Sequence, residues 1–329
     1  MNSIGKLFNI TLYGESHQKA IGVVIDGVSP GTSIDEERIK ADLTKRRPGQ
    51  VGTTPRVEKD EFEITSGVFN GVATGSPIHI MIPNTNTQSK DYKHLLKQPR
   101  PGHADFVAAK KYHGFQDHRG GGRFSGRLTA PIVAAGTIAK MMLPMEFNHQ
   151  LTQVGSCKNP ADFDAYLSEI KAEGDSVGGV VEVIVRNVPI GLGEPMFYKL
   201  DAAITHMLMS IPAVKLVSFG DALEMIESKG SEFNDAILNG LGHTKTNHSG
   251  GIVGGISNGN EITIKVFIKP TSSIQKPQET FAFDEEQPKT LEIGGRHDVC
   301  IARRAGIVVE SAVAIVLADM YLLNKMYDK

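Results

Sequence analysis

A chain of 329 residues with a formal net charge of −2 and 40% apolar residues has the makeup of a globular protein with room for two domains or one large one. It carries no global field that would draw it to nucleic acid or to an anionic membrane, so any strongly basic site must be local. Two cysteines, Cys157 and Cys300, show neither a disulfide framework nor metal-ligand spacing, so a reducing, cytoplasmic setting and no bound metal are expected.

The N-terminal MNSIGKLFNITLYGESH lacks the apolar core of a signal peptide. AIGVVIDGVSPG (20–31) reads as a strand ending in a Gly/Pro turn. SIDEERIKADLTKRR (33–47) follows as a helix, with Ser33 and Glu36 as a capping box, acidic residues in its first turn and Lys45, Arg46 and Arg47 in its last. Pro48-Gly49 ends it. Residues 61–84 suggest two strands around a Gly-rich turn. Residues 85–118 read as a long loop with one short helix near 105–113, and a loop of that length suggests function. The stretch HRGGGRFSGR (118–127) then opens an apolar helix over about 126–143.

A second round follows, with a strand and Pro/Gly turn at 177–193, a helix in YKLDAAITHMLMSIPAVK, two strands around SNGN in 250–274, and a Gly/Arg loop opening an apolar helix in 294–319. The repeated order predicts a weak internal duplication, with halves of roughly 1–150 and 177–329 inside one unit spanning 1–329. The last apolar stretch is interrupted by Glu310 and Asp319, so it reads as a buried helix and not as a membrane span. Helices near 128–143, 199–210 and 305–323 are apolar around much of their circumference, and the strands come in hairpin-like pairs. An α+β fold with buried helices between antiparallel sheets, a β-α-β sandwich, satisfies both demands.

Five short segments carry chemistry. YGESHQ presents His17 at a strand end beside a glycine, and a histidine titrates near neutrality. KRRPGQ is a basic helix end, and PRPGHAD sets Arg100 and His103 in a rigid turn. KPTSS (269–273) combines an ammonium with hydroxyls, which suits a phosphate, and no Walker pattern is present. GRHDVCIARR brings Arg296, His297, Asp298, Arg303 and Arg304 together. Arginine binds carboxylates and phosphates in a bidentate fork, so Gly-rich loops full of arginine in a net-acidic chain point to a small polyanion. Two functional classes remain at this level: an enzyme that transfers protons on such a polyanion, and a non-catalytic polyanion- or RNA-binding module. The net charge and the lack of aromatic stacking motifs speak against the second.

The words GESH (14–17), RRPG (46–49), RPGHAD (100–105), RGGGRFSGR, SIPAVK (210–215), GGISNG (254–259), KPTSS and GRHD (295–298) occur in the order found in the chorismate synthases. The chain resembles that family over nearly its whole length. The resemblance implies a lyase that eliminates phosphate from 5-enolpyruvylshikimate 3-phosphate in a 1,4-anti sense to give chorismate. It implies reduced FMN with no net redox change, a β-α-β sandwich and a homotetramer, with no nucleic-acid or membrane partner. NADPH is the reductant in members that reduce their own flavin. By position, His17 is similar to the acid that protonates the leaving phosphate, His103 to the histidine beside the flavin, and Asp298 to the aspartate that helps remove the ring hydrogen. Arg46, Arg127 and Arg304 resemble the substrate-clamping arginines. Arg123, Phe124, Ser125, Pro212, Ala213, Gly254, Lys269, Pro270, Thr271, Ser272, Ser273 and Arg296 match flavin-contacting positions. Gln18 and Val299 stand where the family usually has glycine and proline, which predicts looser turns at His17 and Asp298. Gly52 stands where some members have an arginine near the NADPH contact.

Overall fold

The computed structural model describes residues 2–54, 59–85, 95, 97–295 and 297–327, and Arg296 lies outside them. One sheet runs in the order β1 (Ser3–Ile4), β2 (Asn9–Gly14), β3 (Ala20–Asp26), β7 (Ile78–Pro83) and β4 (Glu63–Ser66), with all neighbours antiparallel. Helix α1 (Glu36–Arg46) joins β3 to β4, and the small hairpin β5 (Val68–Phe69) and β6 (Val72–Ala73) precedes β7. After α2 (Asp105–Lys111) and α3 (Thr129–Met142) comes the second sheet. Its order is β8 (Glu146–Val154), β9 (Gly179–Arg186), β13 (Ile262–Ile268) and β10 (Val214–Phe219), again antiparallel throughout. Helix α4 (Phe163–Ala172) joins β8 to β9, and α5 (Leu200–Met209) joins β9 to β10. The short α6 (Gly230–Phe233) and the hairpins β11 (Ile252–Val253)/β12 (Ile256–Ser257) and β14 (Gln278–Ala282)/β15 (Gln287–Leu291) lie outside both large sheets, and α7 (Ala302–Asn324) is the last α-helix.

The order β2-β3-β7-β4 and the order β8-β9-β13-β10 are the same connectivity. A helix follows the second strand in each half, α1 or α5, and another follows the fourth, α3 or α7. The four helices form the middle layer: α3 packs on β3 and β7, α7 packs on β8 and β9, and the two cross each other. Gly136 permits that crossing, because a Cβ there would come within 2.3 Å of the Ser311 Cβ. In β13 the residues Ile262, Ile264, Val266 and Ile268 are buried and alternate with half-buried ones, so one sheet face meets the helices. One continuous apolar core spans both sheets and the helices between them. This is the sandwich that the burial pattern demands.

Three local expectations are corrected. The cap of α1 is Asp35, whose carboxylate accepts from the Arg38 N–H, and not Ser33. The helix expected through Lys215 stops at Met209 and the chain becomes β10 at Val214. The SNGN turn makes no hairpin: β13 leaves it to pair with the distant β9 and β10. Helix α7 is long and apolar enough to cross a membrane by composition, yet 83% of its apolar window is buried in the protein. Its two carboxylates are satisfied internally. Asp319 accepts from the backbone N–H groups of Lys6, Leu7 and Phe8 and from the Tyr198 hydroxyl, and Glu310 meets Lys140 and His149.

Candidate active site

The Gly/Arg loop runs along the wall of a cavity of about 680 Å³, within the range of small-molecule sites. Its backbone explains its glycines. Gly120, Gly121 and Gly122 all have positive φ, at 61°, 81° and 51°, a region that favours residues without a Cβ. A Cβ on Gly120 would lie 2.5 Å from the His17 ring, and one on Gly121 would lie 3.5 Å from the His103 ring. The loop therefore passes between the two histidines, and the missing side chains make room for them.

The three loop arginines do different work. Arg119 pairs with Asp117, 2.7 Å away. Arg123 donates to the carbonyls of Gly14 and Leu12 and to Asn2, so it anchors the end of β2 that leads into His17. Arg127 reaches the cavity and pairs with Asp60. Asp60 also holds Arg46 at 2.7 Å, and its side chain is 0% exposed. Burial would raise the Asp60 pKa, but Arg46 and Arg127 outweigh it and hold the carboxyl below its ordinary value. Asp60 has φ 48°, an uncommon conformation that the surroundings must enforce.

Asp298 lines the same cavity. Its Oδ1 accepts from the Thr54 N–H at 2.7 Å, and its Oδ2 accepts from Arg304 Nη1 at 3.1 Å. Arg304 also donates to the Arg46 carbonyl, which joins the start of α7 to the end of α1. Arg303, from the same basic run, turns away to Asp164 of α4. His103 is held through Nδ1 by Asp105, 2.6 Å away, and Asp105 is itself forked by Arg100. Burial works against the charged Asp105, but hydrogen bonds from Arg100 and His103 drive its pKa far below the usual carboxylate range. Arg100 reaches on to Ser273, and Ser272 donates to the Gly102 carbonyl, so the 269–273 segment is tied to the His103 turn.

Apolar side chains line the cavity as well, among them Phe124, Ile211, Pro212, Ile268, Ile301 and Val308. Lys269 lines it too, and burial together with the charge of Lys215 lowers its pKa from the ordinary lysine value. Neither lysine has a carboxylate partner among the described residues, and the Thr271 hydroxyl is buried with no hydrogen-bond partner there.

The cavity lining thus gathers His17, His103 and Asp298, the arginines Arg46, Arg127 and Arg304, and the positions Arg123, Phe124, Ser125, Pro212, Ala213 and 269–273. Gly254 is not among them: it lies at the exposed tip between β11 and β12. The sequence reading did not single out Asp60, Asn84 or Asp105 as site residues. Each acts by pairing with another segment, and only the Arg-Pro-Gly-His-Ala-Asp word gave Asp105 a local signal.

The chorismate synthase family model matches residues 8–322. A curated chorismate synthase from Chitinophaga pinensis is 48% identical over 329 residues, covering 100% of this chain and 99% of the relative. One from Wolinella succinogenes is 45% identical over 100% of this chain and 98% of its own length. The chain belongs to the chorismate synthase family. A crystal structure of a chorismate synthase superposes with a TM-score of 0.75 at 27% identity, covering 98% of this chain and 93% of the other.

The departures from the family pattern have physical roles in this chorismate synthase fold. Gln18 donates to Asp117 at 3.0 Å, so it ties the His17 turn to the Gly/Arg loop and does not leave it loose. Val299 uses the N–H that a proline would lack to bond the Gly52 carbonyl at 2.8 Å. Gly52 has φ 82°, and a Cβ there would lie 2.8 Å from Leu167, so the local backbone disfavours the arginine of other members.

Proposed function

We propose that this cavity performs the lyase reaction of the family, eliminating phosphate from 5-enolpyruvylshikimate 3-phosphate in a 1,4-anti sense to give chorismate. The observation that carries the reading is that His17, His103, Arg127 and Asp298, drawn from four separate segments, line one cleft. The substrate bears a phosphate and two carboxylates, and the cleft gathers Arg46, Arg127 and Arg304, side chains that bind such groups in a bidentate fork.

In this reading His17 protonates the departing phosphate, while Arg46, Arg127 and Arg304 bind the anionic groups and stabilise the charge that develops on the leaving oxygen. The cations are already placed by Asp60, by Asp298 and by the Arg46 carbonyl, so little reorganisation is needed at that moment. Asp298 takes part in removal of the ring hydrogen, aimed by Thr54 and Arg304.

In this reading reduced FMN binds in the same cavity, where apolar side chains such as Phe124 and Pro212 suit a flat ring system. Lys269, Lys215 and the unpartnered Thr271 hydroxyl suit a phosphate group. His103, oriented by Asp105, lines the same cavity. When bound, reduced flavin supplies electron density that helps expel phosphate without net redox change. The unpaired cysteines support a reducing cytoplasmic setting. Exposed apolar side chains such as Ile237, Leu238, Leu241 and Val253 support association, as a homotetramer in this reading.

An anaerobic assay tests the reading. With reduced FMN and the enolpyruvyl phosphoester, the folded protein releases inorganic phosphate and forms chorismate. A folded preparation that releases none refutes it.

A further inference from the structure

We propose that Asn84 is a positioning residue that sets the aim of His17 and the reach of Arg127 together, an inference that rests on the roles assigned to those two residues above. Asn84 follows β7 and lines the cavity. Its backbone N–H donates to the Lys19 carbonyl at 3.0 Å. Its side-chain Nδ2 donates to the carbonyls of Glu15, at 3.0 Å, and Gln18, at 2.8 Å. Those carbonyls flank Ser16 and His17 in a turn closed by the Gln18 N–H on the Glu15 carbonyl. Its Oδ1 accepts from Arg127 Nε at 3.1 Å.

The chemistry fixes which end of the amide is which. Two carbonyl oxygens require a donor, and Arg127 Nε requires an acceptor, so a single orientation satisfies all three bonds. One planar group therefore links the turn that carries the proposed acid to the guanidinium proposed to hold the substrate. The same turn is braced on its other side by Gln18 on Asp117 and by the Ser16 N–H on the Gly122 carbonyl. Arg127 is held from a second direction by Asp60. Asn84 is where the two sets of bonds meet.

The two ends of the amide can be separated by substitution. N84D keeps an acceptor for Arg127 but sets a carboxylate oxygen against two carbonyls, so it disturbs the His17 turn. N84A removes both connections. The test measures phosphate release, kcat and KM for the phosphoester with reduced FMN, in the unaltered protein, N84A, N84D, H17A and the double variant N84D/H17A. Circular dichroism and an unfolding midpoint are recorded for each.

The expected result is a roughly 10–100-fold fall in kcat for N84D, the scale of a misplacement of about 1 Å, with KM raised as well because the new carboxylate lies against Arg127. N84A should lower kcat and also raise KM. In the H17A background, N84D should cost little more in kcat, because the group it aims is gone. A full N84D penalty on kcat in the H17A background overturns the proposal, as do unaltered kcat and KM in N84D. If N84A does not fold, the N84D cycle alone decides. Failure of the unaltered protein to release phosphate would refute the functional reading, and that outcome is distinct from additive variants in an active protein.

Discussion

Between the two sheets, Lys140 lies 2.5 Å from Asp42 and 2.7 Å from Glu310, and the other Glu310 oxygen lies 2.6 Å from His149. Thr137 donates a further bond to Asp42. These groups come from α1, α3, α7 and β8, and the side chains of Asp42, Lys140 and Glu310 are between 4% and 7% exposed. The active-site cavity uses the ends of the same three helices: Arg46 closes α1, Arg127 precedes α3 and Arg304 sits in the first turn of α7. There the arginines share Asp60 and Asp298, while Lys215 and Lys269 meet no carboxylate among the described residues. The helix-layer network is closed off in the core, whereas the arginine pairs of the cavity border an open space. Buried charge alone does not mark a functional site.

The largest contrast should appear in catalysis. His17→Ala or Asp298→Ala should lower kcat by ~10² or more while the unfolding midpoint stays in place. Near-normal turnover in both would remove the assigned roles. Lys140→Met should do the reverse: it removes the cation that Asp42 and Glu310 share and leaves them Lys45, Thr137 and His149, for a loss of about 3 kcal/mol in urea unfolding, with kcat per folded molecule close to that of the unaltered protein.

Asp60→Ala distinguishes the two networks more finely. It removes the buried carboxylate that Arg46, only 3% exposed, and Arg127 share, so stability should fall. Added inorganic phosphate should restore the midpoint of Asp60→Ala more than it raises that of the unaltered protein or of Lys140→Met. An equal response in all three would mean that the cavity is not an open anion site.

The pH dependence follows from signs. Asp42, Asp60 and Glu310 are desolvated, yet their cationic partners hold all three pKa values below normal. Their stabilising contribution is present above the unfolded-state values, about 3.9 for Asp and 4.3 for Glu. It is lost as pH falls through the lower folded values, because the unfolded chain takes up protons first. Lys140→Met should therefore show a shallower loss of stability below about pH 4, measured by unfolding at fixed pH. The smallest effect is the surface baseline. Asp35→Ala should cost about 1 kcal/mol as a lost helix cap, and Ser33→Ala nearly nothing.

Most of the site was legible because its cations lie in short words whose chemistry is local. RGGGRFSGR announces both flexibility and charge, and GRHD sets Asp298 beside arginine. The carboxylates that tune those cations were not legible. Asp60 reaches Arg46 and Arg127 only in the folded chain, and its positive φ leaves no trace in composition. Arg303 and Arg304 are neighbours in sequence, yet only the second lines the cavity, while the first is held by Asp164 and lies over the Phe163 ring. In the fold, apolar β7 and β13 announced themselves. Strand β8 did not, because EFNHQLTQV shows polar side chains at both faces. Glu310 and Asp319 were read correctly as marks of a core helix, and their partners account for their cost.

A structure of the protein with FMN and 5-enolpyruvylshikimate 3-phosphate bound tests the central claim most directly. The predicted arrangement has the ester phosphate within hydrogen-bond distance of His17 and the substrate's anionic groups on Arg46, Arg127 and Arg304. The flavin ring lies against Phe124, Pro212 and Ile268. A phosphoester bound elsewhere, with those arginines still closed on Asp60 and Asp298, contradicts it.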